Sequence, residues 1–277
     1  MGTLFRLIIS AIFLLSFTSS CVVGVGLRSS YRAEVFDSQS FVPSALKRTV
    51  LVRLICSVPS KSIVFENGTL TIKDVVVKRQ AAGSGVILKS YVNSSYILTA
   101  AHVVAPLKRY KCDMAVFKYS DRCLKHPIPA ELVKADYEAD LAVVGVKTSL
   151  GVNTKVAWVS HVGEPVTVVG FPSSYSNVRI KKYGLVESAS VTTGVVASIL
   201  YKDGTPYDLR LTAVAYFGNS GGPVFNACGE VLGVVAYFYG VNTGDGGAIA
   251  YHAAFFAVAH SRIATFFNKM GLNHLLN

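Results

Sequence analysis

Several kinds of protein are excluded by what this 277-residue chain lacks. Its six histidines show no ligand-like spacing with the cysteines or acids, so neither a metal nor an organic cofactor is expected. No internal repeat, helix-turn-helix or RNA-binding pattern occurs, and long amphipathic helical periods are few. Acidic residues number only 16 against 27 basic ones, a formal charge of +11. The basic residues are scattered, the densest groups being 108–111 and 179–182, so they read as solvated loops and no nucleic-acid partner is expected.

What is present is glycine, valine, threonine and tyrosine in short runs bounded by turn residues. That composition favours an all-β fold, and the length is ample for a buried core. A first set of strands runs from about 46 to 150: 49–56, a hairpin over 62–77, 83–88, 96–100, 114–119, 128–134 and 141–146. A second runs from about 155 to 252: 165–170, 191–201, 209–215, 224–225, 231–238 and 246–251. Phe255, Ala259, Ile263, Phe266 and Met270 recur at helical spacing, which predicts a C-terminal α-helix over 253–271 stopping at Gly271.

The N-terminus carries targeting information. Arg6, the apolar run 7–17 and the small residues Thr18, Ser19 and Ser20 describe a secretory signal peptide within 1–26. Two alternatives stand beside cleavage: lipid modification at Cys21, or retention of uncharged residues 7–27 as a membrane anchor. Residues 27–45 read as a polar linker. Setting Cys21 aside, an even count of cysteines in an exported chain suggests disulfides, with three possible pairings. Cys112 and Cys123 are close enough to staple one loop, leaving Cys56 and Cys228 to pair or remain thiols; four free buried thiols are the alternative. Asn67-Gly68-Thr69 and Asn93-Ser94-Ser95 are glycosylation sequons by pattern.

Three short stretches carry chemistry. Phe217-Gly218-Asn219-Ser220-Gly221-Gly222-Pro223 sets a serine among glycines between apolar runs. A turn of that kind can aim the N–H groups of Gly218 and Ser220, either side of Asn219, at one oxyanion. His102 ends the run Ile97-Leu98-Thr99-Ala100-Ala101, and Asp140 opens Leu141-Ala142-Val143-Val144. Asp136 and Glu138 are nearby carboxylates that precede the apolar run and look solvated.

The order His, Asp, Ser and these three motifs, matched between about Gly83 and Tyr251, resemble the trypsin-like serine proteases, closest to the HtrA/Deg branch without a PDZ domain. The resemblance implies two antiparallel six-stranded β-barrels. It also implies endopeptidase activity on proteins or peptides, with His102 as base, Asp140 as orienter and Ser220 as nucleophile. It places the oxyanion turn at Gly218 and Asn219. The substrate pocket falls at Val214, Ala215, Val235, Ala236 and Tyr237, where no acid occurs, so small or medium apolar side chains fit best. His252 would follow the pocket strand. Asn219 stands where the digestive enzymes carry an aspartate that pairs with a new N-terminus. Activation by such cleavage is therefore not expected, and control would fall to the loop 171–190. Two rival readings are a viral polyprotein-processing protease tethered by its N-terminus, and a non-catalytic binding protein on the same scaffold.

Overall fold

The computed structural model describes residues 38–66, 69–119, 126–172, 189–239 and 254–276. The export segment, the Asn67-Gly68 turn, Cys123, most of the 171–190 loop, the 246–251 run and His252 lie outside them.

A helix, α1 (Ser38–Arg48), leads directly into the first barrel. Its strands are β1 (Thr49–Glu66), β2 (Thr69–Ser90), β3 (Ser95–Thr99), β4 (Lys111–Lys118), β5 (Ile128–Asp136) and β6 (Leu141–Val146). They close in the order β1-β2-β3-β6-β5-β4. The second barrel comprises β7 (Pro165–Gly170), β8 (Ser190–Lys202), β9 (Thr205–Leu211), β10 (Pro223–Phe225), β11 (Val231–Tyr239) and β12 (Ala254–Ala259). It closes in the order β10-β11-β12-β9-β8-β7. Every pairing between these strands is antiparallel. A one-turn helix, α2 (Ala101–Val104), follows β3, and α3 (His260–Met270) follows β12.

Side chains alternate between the faces of a strand, and here both faces find apolar partners. In β6, Ala142, Val144 and Val146 join the interior of the first barrel with Val52, Leu54, Ile87 and Ile97. Leu141 and Val143 face the other way, into a second core shared with Phe225, Val231, Val234, Ile263 and Phe266. In β11 the division repeats, with Leu232 and Val235 inside the second barrel and Val231 and Val234 in the shared core. That is why these strands read as unbroken apolar runs: the shared core welds the two barrels and α3 together.

Three expectations change. The helix expected over 253–271 begins only at His260, because Ala254–Ala259 is a strand hydrogen-bonded to β11 on one side and β9 on the other. Part of the expected 27–45 linker is helical, since α1 begins at Ser38 and packs Ala45 and Phe41 into the shared core. Cys112 pairs with Cys56 and not with Cys123, because the two are register partners on β1 and β4 with Cα atoms 4.0 Å apart. Cys228 is also disulfide-bonded. Among the described residues, no helix is long and apolar enough to cross a membrane.

Candidate active site

His102 sits in the first turn after β3, where Ala100 ends the extended backbone and α2 begins. Asp140 occupies the last position of the turn between β5 and β6, with φ of 51°. Its carboxylate takes three hydrogen bonds from one residue. His102 Nδ1 lies 2.8 Å from Oδ2 and 3.0 Å from Oδ1, and the His102 backbone N–H donates to Oδ1 at 2.9 Å. A carboxylate only accepts at neutral pH, so Nδ1 carries the proton and Nε2 is left with its lone pair. The histidine side chain is 45% exposed, so that lone pair is available to solvent or substrate.

Ser220 lies in the turn between β9 and β10. Gly218 and Gly221 have φ of 95° and 84°, a region other residues enter at a cost. At Gly221 a Cβ would also meet the Ser84 carbonyl at 2.2 Å, so only glycine fits. Asn219 N–H donates to the Tyr216 carbonyl at 2.9 Å, and Gly221 and Gly222 N–H donate to Val235 and Asn219 carbonyls. Among the described residues, neither Gly218 N–H nor Ser220 N–H has an acceptor. Two donors on alternate residues of one turn are thus left available for a negatively charged oxygen.

A residue that sequence reasoning passed over anchors this turn. Ser84, fully buried on β2, donates from its N–H to the Ser220 carbonyl at 2.7 Å and from Oγ to the Gly218 carbonyl at 2.7 Å. The same Oγ accepts the Phe171 N–H at 2.8 Å, and the Ser84 carbonyl accepts Thr99 Oγ1 at 2.6 Å. One serine of the first barrel therefore holds the second barrel's turn in place. The signal available was a hydroxyl flanked by Gly83 and Gly85 within the otherwise apolar stretch 81–88.

His102 and Ser220 line one open cleft of about 440 Å³ with Ala82, Ala215, Val235 and Tyr237. Among the described residues, no lysine, arginine, aspartate or glutamate lines it. No hydrogen bond joins Ser220 Oγ to the His102 ring; such contacts often tighten only when substrate binds. The Tyr237 hydroxyl donates to Asp208 at 3.0 Å, and burial, then the Asp208 charge, pushes its pKa up to about 12.

Of the residues singled out from sequence, His102 and Asp140 are in direct contact, and Ser220, Gly218, Ala215, Val235, Ala236 and Tyr237 share the cleft. Val214 is not among the lining residues, and its carbonyl accepts from Thr192 at 2.6 Å. Asn219 does not contribute an oxyanion donor, because Tyr216 takes its N–H. Its side chain is fully buried beside Gly170, with Oδ1 unbonded. Ala81, Ala82, Val103 and Phe255 line the cleft without having been foreseen. Among the described residues, no group of histidines, cysteines or acids is placed to hold a metal.

Comparison with known proteins gives consistent results. A family model described as trypsin-like peptidase domain matches residues 83–234. The peroxisomal leader peptide-processing protease of Mus musculus is 35% identical over 147 residues, 48% of this chain and 24% of that protein. The probable periplasmic serine endoprotease DegP-like of Pseudomonas putida (strain GB-1) is 32% identical over 164 residues, 56% of this chain and 29% of that protein. The chain therefore spans less than a third of the length of either relative. An HtrA-type protease solved with a decapeptide has a TM-score of 0.59 at 18% identity, covering 85% of this chain and 67% of that one. At that identity the likeness speaks for the fold, which is the two-barrel chymotrypsin-like one.

Proposed function

The chain belongs to the trypsin-like peptidase family, and from that premise we propose that it is a serine endopeptidase hydrolysing protein or peptide substrates outside the cytoplasm. His102, Asp140 and Ser220 form its triad. The observation that carries the reading is the pairing of Asp140 with His102 Nδ1 at 2.8 Å, beside the cleft that this imidazole shares with Ser220.

In the first step His102 Nε2 takes the Ser220 Oγ proton while Oγ bonds the scissile carbonyl carbon. The carbonyl π pair moves to oxygen, where Gly218 and Ser220 N–H groups donate to it. Asp140 stabilises the imidazolium without taking its proton. His102 then protonates the departing amine, the C–N bond breaks and an acyl ester remains on Ser220. Water enters, gives a proton to His102 and bonds the acyl carbon; the ester C–O bond breaks, and the proton returns to Ser220 Oγ.

Ala215, Val235, Ala236 and Tyr237 form the substrate pocket in this reading. Among the described residues the lining carries no acid, which favours apolar side chains over Lys or Arg. The extracytoplasmic location rests on residues 1–26 as an export segment, and the periplasmic relative agrees with it. The catalytic domain runs from about residue 46 to the C-terminus, with α1 as its lead-in.

The test is hydrolysis of casein by purified wild type and Ser220→Ala. The variant is expected to lose activity on the order of 10⁶-fold while keeping its fold. Equal rates would defeat the proposal.

A further inference from the structure

We propose that Arg262 and, secondarily, Lys269 on the C-terminal helix are positioning residues for catalysis: they hold the turn that presents Asp140 to His102. The inference rests on the peptidase reading above and assigns that site a support from outside the motif-bearing strands.

The need for a support is visible in the backbone. Asp140 has φ of 51°, left-handed for a residue that is not glycine. Aspartate enters that region more readily than most residues, and Asp203 does so in an exposed hairpin turn; at Asp140 the same conformation must also keep the carboxylate on His102. Residues 137–140 form a turn between two strands of the first barrel, so the strands fix only its ends. Inside it, the Asp136 carboxylate accepts the N–H groups of Glu138 at 3.0 Å and Ala139 at 3.1 Å. Tyr137 packs on the first-barrel core under Lys108 Nζ, Ala139 packs on the shared core, and α3 adds the polar restraints. Lys269 Nζ donates to Asp136 Oδ2 at 2.7 Å, and Arg262 Nη2 donates to the Glu138 carbonyl at 3.1 Å, two residues from Asp140.

The two contacts are unequal. Lys269 has a side chain 60% exposed, so its attraction is screened by solvent even though Asp136 is only 9% exposed. Arg262 is 13% exposed. Its Nη1 donates to the nearly buried Asp208 at 2.6 Å, and its guanidinium lies 3.9 Å from the Tyr207 ring centroid. A planar fork fixed on two sides has little freedom, so its second arm holds the Glu138 carbonyl in a defined place. Asp208 also accepts the Tyr237 hydroxyl from the cleft wall. One guanidinium thus joins the pocket wall of the second barrel to the carboxylate-bearing turn of the first.

Arg262→Lys isolates the positioning contact. An ammonium keeps a charge opposite Asp208 but cannot at the same time supply the second, divergent donor to Glu138. With the full-length chain and a peptide anilide substrate, kcat is expected to fall about 10- to 100-fold with KM within about twofold of wild type. The melting temperature should stay near that of wild type. A readout that needs no turnover is the downfield proton resonance of His102 Nδ1–H, expected to broaden or vanish in the variant. If Arg262→Lys does not fold, Lys269→Met carries the test, with kcat lowered about two- to fivefold. A folded Arg262→Lys with wild-type kcat and an unaltered His102 resonance overturns the inference, as does an unchanged kcat in Lys269→Met where that variant decides. If wild type shows the resonance but no Ser220-dependent hydrolysis, the peptidase reading falls and the resonance alone judges the role of Arg262.

Discussion

Replacing Ser84 with alanine tests whether the oxyanion turn depends on the opposite barrel. The substitution removes two of the four hydrogen bonds at this residue, those through Oγ to the Gly218 carbonyl and from the Phe171 N–H. The backbone bonds to Ser220 and Thr99 remain. Both abandoned groups are buried, and an unsatisfied buried polar group costs about 1–3 kcal/mol. Water entering the vacated space recovers part of that, so the expected loss is about 2–4 kcal/mol. At about 2–4 °C per kcal/mol for a chain of this size, the melting temperature should drop roughly 4–16 °C. Activity should suffer separately. Releasing the Gly218 carbonyl frees the peptide plane beside one oxyanion donor, and outright loss of such a donor costs about 2.7–4 kcal/mol. A partial loss lowers kcat/KM about 10- to 100-fold. The assay is differential scanning calorimetry with anilide hydrolysis well below the variant's melting temperature. Ser84→Ala with unchanged melting and unchanged kcat/KM would refute the argument.

Three further outcomes are expected. Asn219→Asp places a carboxyl in a fully buried position whose present Oδ1 has no partner, so burial raises its folded pKa. The variant should match wild type below about pH 4 and lose about 1.4 kcal/mol per pH unit above it, until the folded pKa is passed; urea midpoints from pH 4 to 8 that track wild type would contradict this. Asp136 behaves oppositely: Lys269 first, then the backbone N–H groups, hold its carboxyl below the ordinary value of 3.8. Its contribution is present above that pH and is lost as pH falls through the lower folded pKa, so Lys269→Met should flatten the stability profile below about pH 4 in acid titrations followed by circular dichroism. Removing the Cys56–Cys112 bridge as a double serine variant opens a loop with a sequence separation of 56, and the urea-derived stability should fall by about 2–4 kcal/mol.

The three motifs were legible because each is a local pattern of residue types. A histidine at a strand end, an aspartate opening an apolar strand and a serine between glycines all show in a few adjacent letters. Elsewhere the sequence is ambiguous for physical reasons. Ala254–Ala259 is apolar on both faces, which suits a strand buried on two sides as well as the start of a helix, and only its pairing with β9 and β11 decides. The disulfide depends on the register of β1 against β4, fixed by barrel closure and not by distance along the chain. Ser84 and Arg262 act across 134 and 124 residues respectively; the glycines beside Ser84 mark a close approach without naming its partner, and Arg262 carries no local pattern that marks it.

The central claim is that one imidazole, oriented by Asp140, activates Ser220. Mass mapping of the adduct formed with a fluorophosphonate tests it most directly. The account predicts a single modification on Ser220, abolished in His102→Ala and strongly slowed in Asp140→Asn. An adduct on another residue, or full labelling of Ser220 in His102→Ala, would contradict it.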